Sequence, residues 1–356
     1  MEIVSSPATT LTAQHWDDFS KHCQTGHLLQ SWTWGDLKAR FGWTPLRLAV
    51  MDSGQVVAGT QLLFRHLPLG LWTTAYIPRG PMLAHAFSQD PAAPLLMQAT
   101  HKACRQHRAV SLKMEPEWTE GKPAHDWLQS QGLKPSRQTV QPRRSVQVDL
   151  RLDEDDILAQ MKAKTRYNIR LAQRKGIVVR QGTAEDLPTF HKLLKVTGER
   201  ADFGVHTLDY YAQVWSLFHT QDSVALFLAQ YMDKVLAAIL VIPWGRTAYY
   251  MYGASSDEER QRMPTYLLQW DAMCWAKSRD CQVYDLWGIP DVDESEVGDD
   301  VETAEASGIL SRGMGGLYRF KRGFGGSEVR YVGAYDAVYS GLLYRLLTTA
   351  WKWRSS

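Results

Sequence analysis

Gly315-Gly316-Leu317-Tyr318-Arg319-Phe320-Lys321-Arg322-Gly323-Phe324-Gly325-Gly326 concentrates residue types that do chemistry in this 356-residue chain. Glycine pairs at both ends enclose three cations, Arg319, Lys321 and Arg322, and three aromatics. A backbone free to bend at both ends, with a basic and aromatic centre, suits a loop that closes on an anion. A glycine-capped helix is the other reading, and the stretch alone does not choose.

A second basic run spans Met161 to Gly176, with Gly176 as a helix stop. Lys164, Arg166, Arg170, Arg174 and Lys175 cannot all find acidic partners inside it, which favours phosphate contact. A solvated helix face with favourable dipole complementarity is the plainer alternative. Between Pro290 and Ser307 the chain is acidic and turn-rich, a surface loop and candidate lid with no EF-hand spacing.

These segments need elements to hold them. The length suggests two domains, and 44% hydrophobic with 22% charged residues at net charge +2 describes a globular protein rather than a basic tail. Fourteen tryptophans are many, and Trp32, Trp34, Trp72, Trp118 and Trp287 stand in polar surroundings. Cys23, Cys104, Cys274 and Cys281 form no CxxC pair, so neither zinc nor a disulfide framework is expected, only thiols in a reducing compartment. The N-terminus has no signal-peptide pattern and no apolar run is long enough to span a bilayer, which gives a cytoplasmic expectation.

The first half reads as helices over 12–24 and 30–40, with Thr12 and Ser31 as caps. Strands follow at 45–51, 56–64 and 71–77, with Asp52-Ser53-Gly54 as a hairpin turn. A helix at 91–107, a strand at 109–114, a helix at 125–131 and strands near 137 and 145–150 complete it. The second half repeats the order. Thr183 and Thr207 cap two helices reaching about 200 and 218. Strands at 224–231, 235–242 and 247–252 precede a helix opened by Pro264, then a strand at 283–286 and another at 328–332. The order resembles that of an acyl-CoA N-acyltransferase (GNAT) domain, written twice. The expectation is a mixed α/β (α+β) protein of two GNAT-like domains in tandem.

Particular motifs narrow this. Gln30-Ser31-Trp32-Thr33-Trp34-Gly35-Asp36-Leu37-Lys38, Ile77-Pro78-Arg79-Gly80-Pro81, Lys113-Met114-Glu115-Pro116, Lys164 to Arg170, Tyr250 to Ser256, Pro264 to Lys277, Tyr284 to Ile289 and Gly316 to Gly326 follow one another in order. Together they resemble the Fem peptidyltransferases, which move an amino acid from aminoacyl-tRNA to the side-chain amine of the peptidoglycan stem peptide. The resemblance implies domain 1 at 1–148 completed by 330–356, domain 2 at 149–329, and neither metal nor acetyl-CoA, so no cofactor. Two ordinary helices fill 183–218, where some members carry a coiled-coil arm, so the chain is similar to the armless branch. Implied partners are aminoacyl-tRNA and a precursor, UDP-MurNAc-pentapeptide or lipid II, with peripheral membrane contact. Glycine is the favoured amino acid, then alanine or serine.

By the same resemblance Lys321 stabilises the developing oxyanion, with Phe320 shaping the channel. Glu115, at a strand end, accepts a proton from or orients the incoming ammonium. Lys38 contacts precursor phosphates beside Trp34, and Arg79 supports that pocket. Tyr252 and Tyr210 line the substrate. Lys164, Arg166, Arg170, Arg319 and Arg322 hold tRNA. One departure stands out: His206 occupies a place where the family commonly has a phosphate-gripping arginine, so either Arg200 substitutes or phosphate binding becomes pH-sensitive. Against these stand an acetyl-CoA-dependent N-acyltransferase, which would want a glycine-rich pyrophosphate loop absent at 255–263, and a non-catalytic binding protein.

Overall fold

The computed structural model describes residues 1–7, 10–68, 70–201, 203–292 and 314–355. Most of the acidic run after Asp291 lies outside them. The chain divides into two units, Met1–Gln141 with Arg330–Ser356, and Pro142–Val329. The border precedes residue 148 because the strand that begins at Arg144 pairs within the second unit.

The first unit opens with β1 (Glu2–Ser5), α1 (Ala13–His22) and α2 (Trp32–Ala39). Thr12 Oγ1 accepts from the His15 N–H and Ser31 Oγ from the Trp34 N–H, satisfying first-turn amides that have no helical partner. β2 (Thr44–Asp52) and β3 (Gln55–His66) are joined by Ser53-Gly54, with φ of 49° and 81°. Two positive φ values give the turn whose twist matches the strands, as the Asp-Ser-Gly signal suggests. β4 (Thr73–Pro78) continues the meander, and β5 (Met82–Leu83) pairs with β3. α3 (Ala93–Gln106) crosses over so that β6 (Ala109–Glu115) runs parallel to β4, followed by α4 (Lys122–Ser130) and β7 (Lys134–Pro135).

The second unit contains β8 (Arg144–Asp149), α5 (Glu154–Gln160), α6 (Ala163–Arg174), β9 (Val178–Gln181), α7 (Leu187–Ala201) and α8 (Leu208–His219). A meander of β10 (Ala225–Tyr231), β11 (Lys234–Trp244) and β12 (Thr247–Ser255) follows. α9 (Pro264–Ser278) crosses to β13 (Val283–Ile289), parallel to β12, before α10 (Met314–Gly323) and β14 (Ser327–Arg330). The chain then returns to the first unit with β15 (Tyr335–Val338) and α11 (Gly341–Ser355).

Strand order is β1-β2-β3-β4-β6-β15-β7 in one sheet and β14-β8-β13-β12-β11-β10-β9 in the other. Each unit thus pairs an antiparallel meander with a parallel fourth strand, and the parallel step requires the crossing helix. Trp34 and Trp118 are core residues despite their polar neighbours, whereas Trp72 is exposed.

Within the second sheet one irregularity matters. Leu240 pairs with Tyr252 but the next residue, Val241, pairs with Tyr250, leaving Met251 as an extra residue. Successive residues of β11 point to opposite faces, so this bulge sends Tyr250 and Tyr252 to opposite faces as well. Tyr250 packs with the cluster that includes Leu268 and Met273 of α9. Tyr252 meets Tyr210 and Tyr211 of α8.

Candidate active site

In the second unit the glycine-bounded stretch is a helix, α10, not a loop. Its closing glycines are obligatory. Gly325 and Gly326 have φ of 76° and 82°, and a Cβ there would lie 2.6 Å from the Gln160 carbonyl oxygen or 2.3 Å from that of Gln147. The stop lets the chain leave α10 directly over two other backbones.

Lys321, in the last turn of α10, is only 5% exposed. Its Nζ donates to the Gly288 carbonyl oxygen at 2.8 Å and lies 5.5 Å from the centre of the Tyr250 ring. Burial pushes its pKa down to about 7, while the negative charge of Asp285 pulls the other way. The accepting carbonyl is presented by a second bulge: the β13–β8 register breaks between Asp285 and Gly288, and Trp287 takes a φ of 61°. Asp285 holds this bulge. It accepts from the Trp287 N–H at 2.7 Å, from Gln147 Nε2 at 3.1 Å and from the Ser145 hydroxyl. Sequence reasoning passed over Asp285, although a carboxylate between Tyr284 and Leu286 in an apolar strand was the available signal.

Phe320 makes edge contacts with Tyr266 and Phe324, each at 5.1 Å, forming an aromatic wall beside Lys321. On the other face of the sheet, the Tyr252 and Tyr210 hydroxyls are 3.2 Å apart and the His206 ring stacks on Tyr210 at 3.9 Å. His206 also borders a groove of about 600 Å³ lined by His191, Lys195, Glu199 and Phe203. Lys321 and Tyr252 therefore do not share a sheet face. The Arg200 guanidinium is engaged by the Asp257 carboxylate and the Ser255 hydroxyl.

The basic residues separate into two groups. Lys164, Arg170 and Arg319 are exposed. Arg166 instead donates to the Ala159 and Met161 carbonyls at the end of α5, and Arg322 binds Glu328 Oε1 at 2.6 Å and the Tyr318 hydroxyl at 2.7 Å. α6 and α10 meet end to end, the Lys162 N–H donating to the Gly323 carbonyl.

In the first unit Lys38 Nζ lies 4.6 Å from the centre of the buried Trp34 ring, one helical turn back. Arg79 is 3% exposed, with a φ of 52°. Its Nε lies 3.2 Å from Glu117 Oε2 and its guanidinium covers the Tyr331 ring at 4.2 Å, so it braces the fold from within. Glu115 is likewise engaged. Its carboxylate accepts from the Tyr76 hydroxyl at 2.5 Å, the Val140 N–H at 2.6 Å and the Gln141 N–H at 3.1 Å. That is a clamp on the segment after β7 rather than a base open to substrate.

A profile of the FemAB family matches residues 11–131, 128–233 and 224–352. The chain belongs to the FemAB family. A lipid II:glycine glycyltransferase of Staphylococcus aureus (strain USA300) is 25% identical to this FemAB chain over 415 residues, covering 95% of it and 94% of the relative. The crystal structure of FemX superposes with a TM-score of 0.83 at 24% identity, covering 97% and 99% of the two chains. A tandem GNAT protein from the clavulanic acid biosynthesis pathway gives 0.57 at 12% identity, over 95% and 98%. The FemAB fold is thus two GNAT-like domains in tandem, as the repeated order of elements implies.

Proposed function

We propose that this protein is an aminoacyltransferase that moves an amino acid, glycine first among candidates, from aminoacyl-tRNA to the stem-peptide amine of a peptidoglycan precursor. Family membership and the glycyltransferase relative support the reaction class. The observation that carries it is the buried Lys321 ammonium beside an aromatic wall, fixed by the Gly288 carbonyl.

The chemistry asks little more. The acceptor amine attacks the ester carbonyl, the carbonyl oxygen becomes an oxyanion, and collapse expels the ribose hydroxyl as the amide forms. The proton lost by the amine ends on that hydroxyl. A cation already desolvated and oriented stabilises the oxyanion without reorganising at the moment of reaction. Phe320 bounds the space in which the ester sits. Lys38 is assigned to precursor phosphates, and Lys164, Arg170 and Arg319 to tRNA phosphates. His206, Tyr210 and Tyr252, on the sheet face away from Lys321, are assigned to parts of the precursor remote from the reacting amine. Glu115 and Arg79 support the first unit from inside it.

The test supplies labelled glycyl-, alanyl- or seryl-tRNA with UDP-MurNAc-pentapeptide and, separately, with lipid II. Label on the stem amine is expected with at least one pair. Absence of transfer from every pair, alongside acylation of an amine by acetyl-CoA, would overturn the reading.

A further inference from the structure

Three segments of the first unit converge at one end of its sheet, opposite the end that carries Arg79 and Glu115. Thr73, which begins β4, pairs with both His66 and Ala109, and Val338 of β15 pairs with Ser111. The turn before Thr73, the turn before Ala109 and the start of α11 therefore lie side by side, at about 5 Å per strand. This end exposes large apolar side chains: Leu71 and Trp72 from one segment, Leu342 and Leu346 from another, with Leu342 at 74%. Leu342 and Leu346 are one turn apart on a single helix face.

The ionised side chains carried by these segments are cationic, and the neighbouring Asp336, which accepts from the Tyr344 hydroxyl of α11, is buried and paired with Lys113. No Asp or Glu occurs at 53–89, 91–114 or 337–356, the stretches that supply all three segments. Arg65, Arg105, Arg108 and Arg345 are exposed there, and Arg105 lies 5.6 Å from the Tyr339 ring just ahead of α11. No helix among the described residues is long and apolar enough to cross a membrane.

We propose that this end of the first unit is a membrane-surface site, α11 and the Leu71-Trp72 turn entering the headgroup region of an anionic phospholipid bilayer. Isolated leucines beside tryptophan and arginine suit an interface where apolar groups reach the acyl boundary and cations meet lipid phosphates. A protein partner recognised by leucines alone would not require the surrounding arginines, and an anionic polymer would not require the exposed leucines. β6 then carries Glu115 about 20 Å from the bilayer surface. The inference goes beyond the transfer reaction and does not depend on it.

The experiment is co-sedimentation of the full chain with phosphatidylcholine vesicles, with and without phosphatidylglycerol. Binding is expected only with phosphatidylglycerol, weakening with salt. Leu342→Glu with Leu346→Glu, and separately Arg105→Glu with Arg345→Glu, should each reduce partitioning by about tenfold or more, while circular dichroism and melting stay near wild type. The second pair keeps the test decisive if the first fails to fold. Absence of binding to anionic vesicles, or binding unchanged in the folded variants, would sink the proposal. So would a dimer in sedimentation velocity that the same variants dissociate. The vesicles carry no precursor, so this result and the transfer assay fail independently.

Discussion

Lys321 Nζ is held by the carbonyl oxygen of Gly288 at 2.8 Å, not by a carboxylate. A neutral acceptor fixes the direction of the ammonium while leaving its charge uncancelled by a contact ion pair. That is the condition under which one buried cation can act on a charge that develops later.

Replacing Lys321 by Met should lower turnover by about a hundredfold or more, the usual loss when one oxyanion stabiliser is removed. Single-turnover transfer measures it. Lys321→Arg, which keeps the cation but not the shape, should recover a fraction. Turnover near wild type in Lys321→Met would remove the residue from this role.

The depressed pKa gives stability a definite pH dependence. Lys321 titrates near 7 in the folded chain against 10.5 for an ordinary lysine, so between those values the unfolded chain binds the extra proton. The native state therefore gains stability from this group as pH rises from about 7 towards 10.5 and loses it as pH falls. Below 7 the penalty is fully present, on the order of a few kcal/mol. Denaturant melts should find Lys321→Met more stable than wild type at pH 6, with the gap closing by pH 10.

Asp285→Asn should move that titration. Asp285 opposes the fall in the Lys321 pKa, so removing its charge lowers it further. The pH limb of transfer governed by Lys321 then shifts to lower pH, whereas Lys321→Arg abolishes the limb. The amide keeps one acceptor oxygen for the Trp287 N–H but cannot accept from all three donors, so a stability loss of about 1–3 kcal/mol accompanies the shift.

Glu115→Ala should act on stability before catalysis. Three donors, from Tyr76, Val140 and Gln141, lose their acceptor, a cost of about 2–3 kcal/mol since the acceptor is charged. Limited proteolysis should cut earlier within 138–141, while the folded fraction turns over within a few-fold of wild type. A collapse of kcat in a fully folded variant would restore Glu115 as a proton acceptor.

Much of the fold was legible where local rules are strong. Thr12, Ser31, Thr183 and Thr207 accept first-turn amides at the expected helix starts, and Pro264 opens α9. Short or weakly patterned elements escaped: β5, β9 and α5 have too few residues to show a period. At the candidate site, residue type was readable but destination was not. Arg79 and Glu115 look like exposed chemistry in sequence, yet Glu117, Tyr76 and the 140–141 backbone claim them through contacts that spacing does not encode. The bulge at Met251, which parts Tyr250 from Tyr252, shows only in the pairing of two strands.

β15 lies between β6 and β7 in the first sheet, yet it comes after the whole of the second unit in the chain. During synthesis, the unit that starts first must therefore finish last. At ~5–20 residues per second, the ~190 residues of the second unit keep that gap open for roughly 10–40 s. A nascent chain stalled before Tyr335 holds a sheet with a vacant slot flanked by unpaired backbone on both sides, an opening that a chaperone or a neighbouring nascent chain can reach.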